Sequence, residues 1–180
     1  MGVPQDGLTA APVGEPLDAG IGLALARERS ATISAVTYDL TFHIPEDASQ
    51  PVTGEASIGF DLTAPTRVVL DFAHPDARLR EISTSARAVT TKQVHNHVVI
   101  DAKDTVVGRN VVHCAFIAGG EALHRRGDLL YSLFVPAKAH TAFPCFDQPD
   151  LKARVRLTLD LPAGWEALAN GQEVERHAMG

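Results

Sequence analysis

The chain has 180 residues, 45% of them apolar, enough for the core of one domain. A net charge of −6 with no basic stripe argues against nucleic-acid binding, and no run reaches the roughly 18 apolar residues of a membrane-spanning helix. Two cysteines, Cys114 and Cys145, are too few for a disulfide framework or a Cys-x-x-Cys zinc site, and read as buried free thiols.

Residues 1–17, rich in Ala, Pro and Gly, read as a mobile lead-in. They lack the basic start and apolar middle of a secretory signal, and the compartment stays open between cytoplasm and export. Asp18 or Gly22 caps a short helix, LALARERSATI, ending near Ile33; its arginines and Glu28 suggest one solvated face. The period then changes to two. In AVTYDLTFHI, residues Val36, Tyr38, Leu40, Phe42 and Ile44 share one side of a half-buried strand, and ASIGFDLT repeats the pattern with Ile58, Phe60 and Leu62. RVVLDFA, RLREISTS, ARAVTT, HVVIDA, NVVHCAFIA, LLYSLFV, RVRLTLDL and EALANG follow as further strands, with Val155, Leu157, Leu159 and Leu161 on one face. Turn signals separate them: PEDASQPVTG, APT, AHPDA, VGRN, AGGE and PAGW. Many short strands at regular spacing predict an all-β fold, an antiparallel saddle or sandwich of two packed sheets with a short amino-terminal helix, as one domain over residues 18–180.

Catalytic motifs are sparse. There is no His-Glu-x-x-His, Gly-x-Ser-x-Gly or phosphate-cradling glycine loop. His95 and His97 would face the same way in a strand, but Asn96 between them favours an exposed hairpin tip over a metal site. His113 and Cys114 are neighbours in a strand and point apart. Cys145 with His140 is a conceivable nucleophile pair, outweighed by a packed loop cysteine. LHRRGDLL, with Arg125 and Arg126 beside Asp128, reads as a solvated turn.

TAFPCFDQPDLKA, residues 141–153, is the most specific stretch. Pro144 and Pro149 exclude a long helix and stiffen a loop. Phe143 and Phe146 are expected inside, and Asp147 is expected to accept hydrogen bonds from backbone or from Lys152, fixing a corner between loop and strand.

Residues 143–171 closely resemble the end of the amino-terminal domain of the zinc aminopeptidases, the family of aminopeptidase N and leukotriene hydrolase. The family pattern runs Phe-Pro-Cys-Phe-Asp-Glu-Pro, two residues, Lys-Ala, then a strand. Phe143, Pro144, Cys145, Phe146, Asp147, Gln148, Pro149 and Lys152 carry the resemblance here. ISAVTYDLTFHIP resembles the family's opening strand, and VVLDFAHPDARLREI and LLYSLFVPAKAHTAFPCFDQP its middle segments, so the likeness runs from about Leu23 onward.

The resemblance implies a β-saddle domain forming one wall of a peptide cleft, with Tyr131, Ser132, Phe134 and Val135 nearest the substrate. It implies no cofactor in this chain. Zinc would lie in a following catalytic domain that supplies His-Glu-x-x-His, a further Glu and a Tyr, and that domain and the peptide would be the partners. It also implies a chain ending before the domain's last strands, inactive alone and with apolar surface open to a second copy. Several family members place Glu or Gln eight residues before the Phe-Pro to grip the peptide amine. Here that position is Val135, which cannot hydrogen-bond an ammonium; Ser132 is the polar neighbour. The other reading is a stand-alone β-module that binds a partner without peptidase activity.

Overall fold

The computed structural model describes residues 16–73, 78–84 and 87–177. The expected lead-in falls outside these residues except for Pro16 and Leu17, as does the AHPDA turn except for Ala73. The elements in chain order are α1 (Leu23–Thr32), β1 (Ile33–His43), β2 (Thr53–Leu62), β3 (Val68–Asp71), β4 (Leu79–Thr84), β5 (Arg87–Ala88), β6 (Thr91–Val94), β7 (His97–Ile100), β8 (Gly108–Ile117), β9 (Leu123–Arg126), β10 (Leu129–Ser132) and β11 (Ala153–Asp160).

Alternation makes the sheets two-faced and so dictates how they stack. A six-stranded sheet runs β11-β1-β2-β8-β4-β5 and a three-stranded sheet runs β3-β7-β6. Ile58, Phe60, Val112 and Phe116 of the large sheet meet Val68, Leu70, Val98 and Ile100 of the small one in a single core. All neighbours are antiparallel except β11, which runs parallel to β1 from Val36↔Ala153 to His43↔Asp160. The second face of the small sheet is also covered. Asp71 and His97 are directly opposed partners in β3 and β7, and α1 brings Arg29 onto Asp71 and onto the Val69 carbonyl.

Five sequence expectations change here. The helix does not present all its charges to water: Arg29 is 2% exposed, because a carboxylate 42 residues away waits on the sheet it covers. EALANG, residues 166–171, forms no strand, since no neighbouring strand lies beside it among the described residues to take its backbone groups. LHRRGDLL is a hairpin rather than a loose turn. Its ends pair as β9 and β10, from Leu129↔Arg126 to Ser132↔Leu123, and Gly127 supplies the positive φ of 60° at the tip. Arg125 leaves the solvent to hold the carbonyls of Pro45 and Glu46 at 2.6 and 2.7 Å and to lie over the Trp165 ring. ARAVTT divides between β5 and the start of β6, and the LLYSLFV strand stops at Ser132.

Candidate functional site: a pinned corner and an exposed row

The stretch after the short turn Ala139–Thr141 returns to the core. Phe143, Pro144, Cys145, Phe146 and Gln148 are buried, Asp147 is partly so, and Pro149, Asp150 and Lys152 reach solvent. The two phenylalanines do the packing. The Phe143 ring meets Tyr38, Phe42 and Phe134 edge-on at 6.2, 6.0 and 5.6 Å, and Phe146 meets Phe60 at 5.5 Å. Such edge-on pairs suit the quadrupoles of the rings and add to the area they bury.

Backbone groups so deep in a core call for partners, and the amides of Phe143, Cys145, Phe146 and Asp147 each have one. Cys145 exchanges two hydrogen bonds with Asp71, at 2.7 and 3.0 Å. The Phe146 amide donates to the Tyr38 hydroxyl at 2.8 Å. The Asp147 amide donates to Asp71 Oδ2 at 2.8 Å. Gln148 Nε2 donates to the Ala26 carbonyl and to Ser30 Oγ, and Ser30 in turn donates to Asp150.

Asp71 is the hub. Arg29 grips it with both guanidinium nitrogens, at 2.9 and 2.6 Å, and His97 Nδ1 meets Oδ1 at 2.8 Å. Burial alone would push this carboxyl up, but the hydrogen bonds from His97 and Arg29, the Arg29 charge and the Asp147 amide outweigh it, and the net shift is downward. The far side of His97 faces the Asp18 carbonyl at 3.0 Å, and Asn96 Nδ2 donates to the Ala19 carbonyl. The His95–Asn96 tip is thus a hairpin turn as expected, with His95 at φ 52°. His97 is not exposed with it; it lies in β7 and is 1% exposed.

The expected partner of Asp147 is also replaced. Its Oδ2 takes the His140 amide at 3.2 Å and His140 Nδ1 at 2.7 Å, while Lys152 points to solvent. Seven residues back along the same loop, His140 is closer in space than the lysine five residues on, because the turn at 139–141 folds it over the corner. The Asp147 hydrogen bond raises the His140 pKa above its ordinary value. This occupies the histidine that could have activated Cys145. The Cys145 thiol itself is wholly buried and pushed well above 9, chiefly by desolvation, and Cys114 is pushed up to about 12 for the same reason. Both stay as inert free thiols.

The segment before the corner is the opposite in character. Leu129, Tyr131, Leu133 and Val135 are exposed, Val135 by 85%, whereas Leu130 and Phe134 turn inward against the core. Strand alternation puts Leu129 and Tyr131 on one side of β10, and Leu133 and Val135 follow beyond its end, exposed, so that the four form an apolar row along the chain. Tyr131 is backed by the His124 ring, stacked at 5.0 Å. Ser132 lies on the other side of β10 from Leu129 and Tyr131 by the same alternation and is itself exposed. The row is fixed to the corner by Phe134 on Phe143 and by the Lys138 amide on the Phe134 carbonyl; the Val135–Pro136 peptide is cis.

Sequence reasoning missed Arg29, Asp71, His97, Tyr38 and His140 as parts of this arrangement. One signal was there: VVLDFA ends a wholly apolar run in an acid, and a buried carboxylate needs cationic and hydrogen-bonding partners. Nothing in the string said which.

Among the described residues no three His, Cys, Asp or Glu side chains converge as a zinc site needs, so these residues do not fit that metal.

Comparison with known proteins agrees with this layout. The family described as the peptidase M1 N-terminal domain matches residues 125–180, the hairpin, the row, the corner and β11. Aminopeptidase N of Streptomyces lividans is 32% identical over 132 residues, which is 68% of this chain and 14% of that protein. Aminopeptidase M1-D of Oryza sativa subsp. japonica is 28% identical over 151 residues, 74% of this chain and 17% of that one. The chain therefore spans less than a fifth of the length of these two relatives. An M1 zinc metallopeptidase from Deinococcus radiodurans superposes with a TM-score of 0.62 at 24% identity, over 78% of this chain and 35% of its own. Native leukotriene A4 hydrolase from Saccharomyces cerevisiae does so with 0.59 at 14%, over 74% and 24%. At such identities these two structures speak for the fold.

Proposed function

Since the chain belongs to the amino-terminal domain of the M1 peptidases, we propose that it forms one wall of the peptide cleft of a zinc aminopeptidase and carries none of the reacting groups itself. The zinc, the general base and the grip on the peptide amine are supplied by a catalytic domain of the same protein. The observation that carries this reading is the row of Leu129, Tyr131, Leu133 and Val135, exposed yet held against a corner packed like a core. An apolar row of this kind marks a surface that something covers, and a substrate side chain beside a catalytic domain suits it. Val135, the outermost of the four, offers no acceptor for an ammonium group. The wall therefore contributes shape and apolar contact to the peptide, and the amine is held from the other side.

The experiment compares the 180-residue chain with the product of the gene's whole reading frame, on aminoacyl 4-nitroanilides with and without a zinc chelator. Chelator-sensitive hydrolysis is expected from the whole product, and neither hydrolysis nor stoichiometric zinc from the chain alone. Zinc-dependent turnover by the isolated chain, or none by the whole product, overturns the reading.

A further inference from the structure

The amino-terminal helix reaches past the sheet it covers and contacts the corner directly. Arg29 reaches it in two ways. Its guanidinium lies over the Phe146 ring, 5.5 Å from the centroid, and it holds both oxygens of Asp71, whose Oδ2 receives the Asp147 amide. On the same helix, the Ala26 carbonyl and the Oγ of the adjacent Ser30 take Gln148 Nε2, and Ser30 donates to Asp150 at 2.7 Å. Phe146, Asp147, Gln148 and Asp150 are thus each tied to α1, directly or through one side chain.

We propose that Arg29 is a positioning residue: through Asp71 it fixes the corner at residues 143–150, and through Phe143 and Phe134 the exposed row beside it. The fork geometry is what matters. A planar guanidinium can bond both carboxylate oxygens, keep a nitrogen on the Val69 carbonyl and still sit over a ring, whereas an ammonium acts as a point charge. Asp71 held this way has an oxygen fixed in place for the Asp147 amide. The coupling is read entirely within this chain, and only the purpose of the row rests on the peptidase reading; failure of one leaves the other standing.

Arg29→Lys tests this, since it keeps the charge and removes the fork. The Asp147 amide should exchange with solvent about ten- to a hundredfold faster relative to the Val112 amide in the core, the scale of one hydrogen bond to a charged group. The NMR titration midpoint of His140, which reports its distance from Asp147, should fall toward the ordinary histidine value. A lower melting temperature with both readouts unchanged would mean Arg29 only adds stability, and would overturn the proposal. Should the variant fail to fold, wild-type native-state exchange in rising urea decides. The Asp147 amide must open together with the α1 amides at positions 26–29, as one cooperative unit; opening independently of them overturns the proposal.

Discussion

At the residue scale, the corner shows how a short loop is held by charges placed elsewhere in the chain. Asp147 was expected to tie the corner, and it does so through His140 rather than Lys152. This choice makes the tie sensitive to pH. Because the Asp147 hydrogen bond raises the His140 pKa above its ordinary 6.5, its contribution to stability is fully present below that value. It is lost as pH rises through the raised value of the folded state. The melting temperature of the wild type should therefore exceed that of His140→Gln at acidic pH, with the gap closing as pH climbs above 6.5; a constant gap would show that the pair does not titrate. Asp147→Ala removes the acceptor for two donors, one of them a backbone amide, and should cost roughly 1–3 kcal/mol in urea unfolding at any pH where His140 is charged. Stability within a few tenths of wild type would mean that water replaces the carboxylate at no cost.

At the element scale, the large sheet depends on close strand approach at β2. A Cβ built on Gly54 would lie 2.6 Å from the Thr41 carbonyl oxygen and 2.6 Å from the Phe116 ring, and neither can yield easily, one being backbone and the other core. Gly54→Ala should destabilise the fold by about 1–3 kcal/mol, the cost of overpacking a filled core; an unchanged denaturation midpoint would show that β1 and β2 can move apart. The strands themselves were legible because alternation is a local signal. Val36, Tyr38, Leu40, Phe42 and Ile44 are all buried as the period requires, and so are Ile58, Phe60 and Leu62. The burial of Phe143 and Phe146 was legible from their apolar rings in a loop stiffened by two prolines. What a string does not carry is partnership across 40 residues or more. Arg29 sits among the charges of a surface-like helix, and only its meeting with Asp71 tells it from Arg27, which remains exposed. EALANG failed by the converse argument: strand-like composition forms no strand without a neighbour to pair with. The hairpin at 123–132 was obscured by two arginines and an acid. Their charge suggested solvent, while Arg125 satisfies the carbonyls of Pro45 and Glu46.

At the scale of the whole molecule, two of the apolar surfaces open among the described residues differ in what could cover them. One is the row of Leu129, Tyr131, Leu133 and Val135 at the hairpin; the other is Val155 and Leu157 on β11, at the edge of the large sheet. A free edge strand invites pairing with another copy, and charged residues along it discourage that. Arg154 and Arg156 alternate with the two apolar side chains of β11, so a second β11 brought alongside meets like charge. The segment from Leu129 to Val135 has no charged side chain of its own, and the nearest, Arg126, stands opposite Leu129 at one end of it. Concentrated solutions of the isolated chain should accordingly associate through the row and not through the edge. Sedimentation of Leu133→Lys/Val135→Lys should then show less concentration-dependent association than wild type, while Leu157→Lys should leave it as it was. Both exposed positions in the row project from a segment whose packing is carried by Leu130 and Phe134, so the double variant should melt as the wild type does. If Leu157→Lys abolishes association and the row variant does not, the edge is the sticky surface, and the row loses its claim to be the face that the rest of a peptidase covers.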